Sequence, residues 1–198
     1  MIKVGITGGI GSGKSIISQV FSKLGVPVYN ADLSAGILMN NDPNIINGLI
    51  TKFGNSIYNN SGLDRKKLAE IVFTDKESLK YVNGLVHPAV GKDSEKWFLC
   101  HKHNPYVIKE AALFFESGTY KEIDIMITVI APLNLRYKRV IERDRVTLDE
   151  VKKRMENQLS DEEKIIKSDF VIINDENKSV LEQVLFVHQH ICEGKIKN

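Results

Sequence analysis

Cysteine is scarce: Cys100 and Cys192 stand far apart, with no spacing that suits a zinc site or a dithiol motif. A reducing cytoplasm is therefore the expected setting. No apolar run approaches the ~18 residues that read as a membrane span, and Met1-Ile2-Lys3-Val4-Gly5 does not open like a secretory signal. Neither a membrane association nor export is expected. Prolines number only 5, and there is no low-complexity bias or internal repeat, which sets aside disordered and collagen-like classes. Charge of one sign is also lacking, since 27 Lys and Arg against 25 Asp and Glu leave +2. That balance argues against a nucleic-acid binder relying on bulk positive charge. What is there, 198 residues with 42% hydrophobic and 26% charged content, suffices for one compact domain with room for inserted subdomains. Oligomeric state stays open, with a monomer as the default.

Short apolar runs at Ile2–Ile6, Val26–Tyr29, Tyr106–Lys109, Ile125–Ile130 and Phe170–Ile173 read as strands. Between them lie helical periodicities, such as Ile16, Ile17, Val20, Phe21 and Leu24. Strands alternating with helices predict an α/β fold: a five-stranded parallel sheet covered on both faces, in three layers. Two stretches interrupt the alternation. Leu68, Ile71 and Val72, then Leu79, Val82, Leu85 and Val86, form helix after helix, which predicts a helical insertion over 60–104. A charge-rich segment over 134–167 forms the second, with Thr147-Leu148-Asp149-Glu150 as a capping-box start. The polar tail from Gly194 is expected to fray.

Gly8-Gly9-Ile10-Gly11-Ser12-Gly13-Lys14-Ser15 satisfies the phosphate-loop pattern GxxxxGK(S/T), between the first strand and the first helix. Glycines there let the backbone N–H groups of Gly9, Ile10, Gly11, Ser12 and Gly13 converge on an anion, and the helix N-terminus adds partial positive charge. Lys14 reaches the β and γ phosphates, and the Ser15 hydroxyl is the expected Mg²⁺ ligand. ATP with Mg²⁺ is the ligand class. A guanine-reading NKxD is absent, the nearest string being Asn177-Lys178-Ser179-Val180, so a GTPase switch is rejected. A motor or large ATPase usually needs more chain. A small-molecule kinase fits.

Asn30-Ala31-Asp32 follows the second strand, which brings Asp32 to the carboxyl edge of the sheet. A carboxylate there either accepts a proton from an attacking hydroxyl or caps a helix beginning near Leu33. His87, before Pro88, reads by itself as a helix-end residue. Arg136, Arg139 and Arg143 share one helical face at i, i+3 and i+7. They are either phosphate-binding forks or part of a solvated face, with Lys138, Glu142 and Arg145 as charge neighbours.

The strings Thr7–Ser15, Ala31-Asp32, Val86-His87-Pro88, Leu113-Phe114-Phe115-Glu116-Ser117-Gly118 and Asp169–Asn174 together resemble the dephospho-coenzyme A kinase family over nearly the whole length. The resemblance implies transfer of the ATP γ-phosphate to the ribose 3′-hydroxyl of dephospho-CoA. Asp32 is then the general base and His87 contacts the acceptor, with the 60–104 insertion as the acceptor subdomain, while Glu116 either orients the acceptor or a metal-bound water or is a loop-capping carboxylate. It also implies a lid over 134–167, in which Arg139 and Arg143 lead as contacts to the travelling phosphate and Arg136 stands where many relatives carry glutamine. Asn174 is implied near the adenine, although an Asn at a strand end is also a common turn residue. Asn30 departs from the family's acid at that position. A kinase for another small alcohol or nucleoside monophosphate, and an ATP-binding regulatory module without turnover, are the alternatives.

Overall fold

The computed structural model describes residues 1–72 and 75–194, so the tail beyond Gly194 lies outside the described residues. The chain opens with β1 (Ile2–Thr7), α1 (Lys14–Lys23) and β2 (Val28–Asn30). A helical stretch follows: α2 (Ala31–Asn41), α3 (Pro43–Phe53), the short strands β3 (Tyr58–Asn59) and β4 (Gly62–Leu63), then α4 (Arg65–Val72) and α5 (Lys76–Cys100). After it come β5 (Tyr106–Glu110), α6 (Phe114–Ser117), β6 (Ile125–Ile130), α7 (Leu133–Asp144), α8 (Leu148–Met155), α9 (Asp161–Ile166), β7 (Phe170–Ile173) and α10 (Val180–Cys192). Two compact units result, one made of Met1–Asn30 with the chain from His101 onward, the other of Ala31–Cys100.

In the first unit five strands pair in parallel in the order β2-β5-β1-β6-β7, as the alternating pattern predicts. β1 sits third of five, which explains why its residues Val4 and Ile6 are fully buried and its sequence nearly all apolar. Side chains alternate across the sheet. Ile125, Ile127 and Val129 of β6 pack with Ile17 and Phe21 of α1 and with Val184, Val187 and Ile191 of α10. Met126, between them in sequence, packs instead with Phe114 and Phe115 of α6. Each such buried aliphatic side chain contributes roughly 1.5–3 kcal/mol relative to exposure. Within α1 the buried apolar residues are Ile17 and Phe21, four residues apart, with Ser18 buried beside them, while Ile16 is exposed despite its place in the apolar pattern. The Thr147–Glu150 capping box opens α8 as expected, and a second box, Ser160 with Glu163, opens α9.

The Ala31–Cys100 unit buries Ile45, Leu49, Ile57, Leu63, Leu68, Val82, Val86 and Val90. Asp42 caps α3 by accepting from the N–H groups of Asn44 and Ile45, with Pro43 in the first turn, where its missing N–H costs nothing. The unit begins at Ala31, about thirty residues before the 60–104 segment, because α2 and α3 both pack on α5. It also holds the β3–β4 hairpin, whose two-residue strands are too short to leave an alternating signature. Leu63 N–H donates to Asn40 Oδ1, which ties this hairpin to α2. His87 and Pro88 fall inside the 25-residue α5 rather than at a helix end. Pro88 has no N–H to offer the carbonyl one turn before it, at Gly84. Among the described residues no helix is long and apolar enough to cross a membrane.

Candidate functional site

β1 ends at Thr7 and α1 begins at Lys14, so the phosphate loop is the six-residue link between the central strand and its first helix. Gly13 precedes the helix in the left-handed region at φ 94°, and a Cβ there would collide with the Asn174 amide. The first N–H groups of α1 point out of the helix at its N-terminal end, and the helix dipole adds positive potential at the same place. An anion is the natural partner for both. Lys14 Nζ lies over the loop, donating to Gly8 O at 2.9 Å.

Side chains from distant parts of the first unit hold this loop. Asn174, just past β7 and buried, donates through Nδ2 to Ser12 O at 2.8 Å. Arg136 of α7 donates through Nε to Ile10 O at 2.9 Å and through Nη1 to Asp161 at 2.9 Å. Gln158 accepts from Ile10 N–H at 2.8 Å. Asn174 and Arg136 therefore sit against the loop itself. The three arginines that share a helical pattern do different things. Arg136 is buried, Arg139 donates to Asn174 O and to Glu176 at 3.0 Å, and Arg143 is exposed beside Asp144. The hydrogen bond to Asp144 raises the Arg143 pKa, and Arg143, followed by Arg154, holds Asp144 below the usual carboxylate range.

The carboxyl edge of the sheet carries a group that the sequence reading passes over. Glu110 is the last residue of β5, in register with Ile6 of β1 on one side and Asn30 of β2 on the other. Its buried carboxylate accepts from Ser15 Oγ at 2.8 Å and from Asn30 Nδ2 at 3.3 Å. Ending the third strand at Lys109 stops one residue short of it. The rule that brings Asp32 forward, an acid closing a strand at the ligand edge, applies to Glu110 equally. A hydroxyl and a carboxylate in contact at the start of α1 are the hard oxygen donors that suit Mg²⁺, which takes one or two carboxylates and completes its shell with phosphate oxygens and water. Among the described residues there is no cluster of three or more His, Cys, Asp or Glu side chains suited to a metal, so the rest of such a shell would come from the nucleotide and solvent.

Asp32 is exposed and lies inside the first turn of α2, which begins at Ala31 rather than near Leu33. Asn30, the last residue of β2, directly precedes that helix. His87 is half-buried on α5, and burial lowers its pKa. In the same unit a groove of about 290 Å³ is lined by Ile45, Leu85, Pro88, Ala89, Lys92 and Lys96, among others. Glu116 is spent inside the first unit: its Oε1 accepts from Leu159 N–H at 2.8 Å and lies 3.3 Å from the fully buried Lys164 Nζ. That is the contact set of a loop-capping carboxylate. Lys164, Gln158 and Asp161 all lie in a polar, charge-rich stretch where nothing in the residue pattern separates a buried group from a solvated one.

The family model described as Dephospho-CoA kinase matches residues 2–180. The chain belongs to the dephospho-CoA kinase family. A dephospho-CoA kinase of Bacteroides fragilis is 37% identical over 202 residues, covering 98% of both chains. Among solved structures, TT1252 from Thermus thermophilus superposes with a TM-score of 0.82 at 32% identity, covering 95% of this chain and 96% of that one. The dephospho-CoA kinase from Campylobacter jejuni superposes at 0.71 with 30% identity, covering 98% of both. The dephospho-CoA kinase family likeness thus runs through both compact units.

The depressed His87 pKa has a thermodynamic consequence. Below the ordinary value of 6.5 the unfolded chain takes up a proton that the folded chain resists, so stability is highest above that pH and falls on acidification until the folded-state pKa is passed. Thermal melts should show a lower Tm at about pH 5.5 than at about pH 7.5, and His87→Gln should flatten part of that slope. An unchanged slope in the variant would assign the acid loss to other groups.

Proposed function

We propose that this chain transfers the γ-phosphate of ATP to the ribose 3′-hydroxyl of dephospho-CoA, giving coenzyme A and ADP. The observation that carries the reading is family membership across residues 2–180, with the phosphate loop at the carboxyl edge of the sheet. The residues divide the work. Amides at the start of α1 cradle the inner phosphates and the Lys14 side chain reaches the β and γ phosphates, and fixing them in line with the acceptor is most of what a phosphoryl-transfer enzyme supplies. Ser15 and Glu110 are the residues that would hold Mg²⁺, which screens charge on the phosphate oxygens when bound. Asp32 serves as general base: the 3′-oxygen bonds to the γ-phosphorus, the bond to the β–γ bridging oxygen breaks, ADP leaves, and the hydroxyl proton passes to the Asp32 carboxylate.

His87 and the helical segment 60–104 serve the acceptor, and the groove beside Pro88, lined by Ile45, Leu85 and Ala89 together with Lys92, Lys96, Asp42 and Asp93, offers an apolar wall with charges of both signs to a molecule that carries an apolar arm and phosphates. The segment 134–167 serves as the lid, excluding water that would compete for the γ-phosphate. Arg139 and Arg143 are its leading contacts to the travelling group. Asn174 supports the nucleotide site through Ser12, and Glu116 supports the lid through Leu159. Asn30 fits this scheme because its amide donates to Glu110, where a second carboxylate would repel it. Exposed, free Cys100 and Cys192 fit a monomer in a reducing cytoplasm.

A coupled ADP-release assay with dephospho-CoA, AMP, CMP and shikimate as acceptors tests the reading. ADP production with dephospho-CoA alone is expected; turnover with another acceptor in its place would make the chain a different small-molecule kinase, and ATP binding without turnover would make it a regulatory module. Asp32→Asn should lower kcat by about 10²–10⁴-fold with ATP affinity retained. A variant that lost thermal stability alone would return Asp32 to a structural role. Glu110→Gln should raise the Mg²⁺ concentration for half-maximal rate by roughly 10-fold or more, and an unchanged Mg²⁺ dependence would remove Glu110 from the metal.

A further inference from the structure

One residue of the phosphate loop is gripped through both of the peptides that flank it. Ile10 N–H donates to Gln158 Oε1 at 2.8 Å, and Ile10 O accepts from Arg136 Nε at 2.9 Å. Both partners come from the segment assigned as lid. Each is itself held. Arg136 is buried, with Nη1 on Asp161 at 2.9 Å, and Asp161 is the first residue of α9, whose start is fixed by the Ser160–Glu163 capping box. Gln158 is followed by Leu159, whose N–H donates to Glu116, and Glu116 in turn faces the buried Lys164. Gly9 fits beneath the Arg136 guanidinium only because it has no side chain: a Cβ there would collide with that group.

We propose that Arg136 and Gln158 are positioning residues for phosphoryl transfer, bracing the two peptides that flank Ile10 so that the phosphate-binding amides begin at Gly11. The proposal rests on the kinase reading above and deepens it. An N–H already donated to Gln158 is turned away from the nucleotide, which makes Ile10 a strut of the loop instead of a phosphate ligand. The geometry also says which phosphate should feel the brace. The helix N-terminus at Lys14 and Ser15 takes the inner phosphates. Ile10 lies at the other end of the loop from that helix start, next to Gly8 and Gly9, whose carbonyls Lys14 Nζ meets, and that lysine is the group that reaches the β and γ phosphates. Loosening Ile10 should therefore disturb the γ-phosphate more than the β-phosphate.

Gln158→Met keeps side-chain length and removes the acceptor. Arg136→Met removes the donor, and Arg136→Gln keeps a donor for Ile10 O without the charge. The readouts are kcat, KM for ATP, and the Kd values of ADP and of the non-hydrolysable analogue AMP-PNP. Gln158→Met is expected to lower kcat about 10-fold or more, since a small misplacement of reacting groups is costly. It should weaken AMP-PNP by roughly 5-fold, the scale of one lost hydrogen bond, with ADP changed by less than about 2-fold. Arg136→Met should behave alike, the double variant should fall short of the product of the two, and Arg136→Gln should recover most of kcat. If Arg136→Met fails to fold, Gln158→Met decides alone, because Gln158 and Ile10 are both only half-buried. A lower Tm with kcat and both Kd values unchanged would overturn the proposal, as would equal weakening of ADP and AMP-PNP. Absence of dephospho-CoA turnover in the unaltered protein would instead overturn the kinase reading, and the ratio of AMP-PNP to ADP affinity in the variants would still test the brace.

Discussion

A loop made of glycines has almost no side chains with which to hold its own shape, yet it must present several backbone donors to one anion. The first compact unit is organised around that constraint. Asn174 reaches Ser12 from beyond β7, Arg136 and Gln158 reach Ile10 from the segment between β6 and β7, and Lys14 lies back over Gly8. Glycine at 9 and 13 is what lets those partners come close enough. Without such braces the loop would lose backbone entropy on every nucleotide bound, because glycine is the residue with the most freedom to lose. Pre-ordering the donors moves that cost into folding, where the sheet core offsets it, and leaves the site to act by fixed electrostatics.

The second constraint is parallel pairing. Because β2, β5 and β1 run the same way and in register, their carboxyl ends bring Asn30, Glu110 and the start of the loop into one row. A buried carboxylate needs donors. Glu110 finds them in Ser15 and Asn30, so the residue at position 30 does two things at once: it ends a strand and holds the neighbouring acid. The carboxylate proposed to hold Mg²⁺ thus comes from β5, while the proposed base, Asp32, is carried on the first turn of the helix that follows β2.

The sheet was legible because each of its strands is a short apolar run bounded by polar residues, and the loop because its pattern has a meaning only between a strand and a helix. The β3–β4 hairpin was not, since two residues per strand cannot show alternation. Glu110 was missed by a strand boundary drawn one residue early. The arginines show a different limit. Their spacing on α7 is visible in the sequence, but whether each is buried on the loop, packed beside Asn174 or left in solvent depends on partners such as Asp161 and Glu176, which are 25 and 37 residues away in the chain. The Glu116–Lys164 contact is of the same kind, since no local pattern announces a buried ion pair.

The direct test of the claim that backbone donors at the start of α1 grip the polyphosphate is an amide NMR titration of the labelled protein with AMP-PNP and Mg²⁺. The N–H signals of Gly11, Gly13, Lys14 and Ser15 should shift strongly and saturate together at one equivalent, with Ile10, held by Gln158, and Ser12, whose N–H donates to Gly9 O at 3.1 Å, moving least within the loop. Saturable binding that left those four amides unmoved and shifted a different part of the chain would contradict the account.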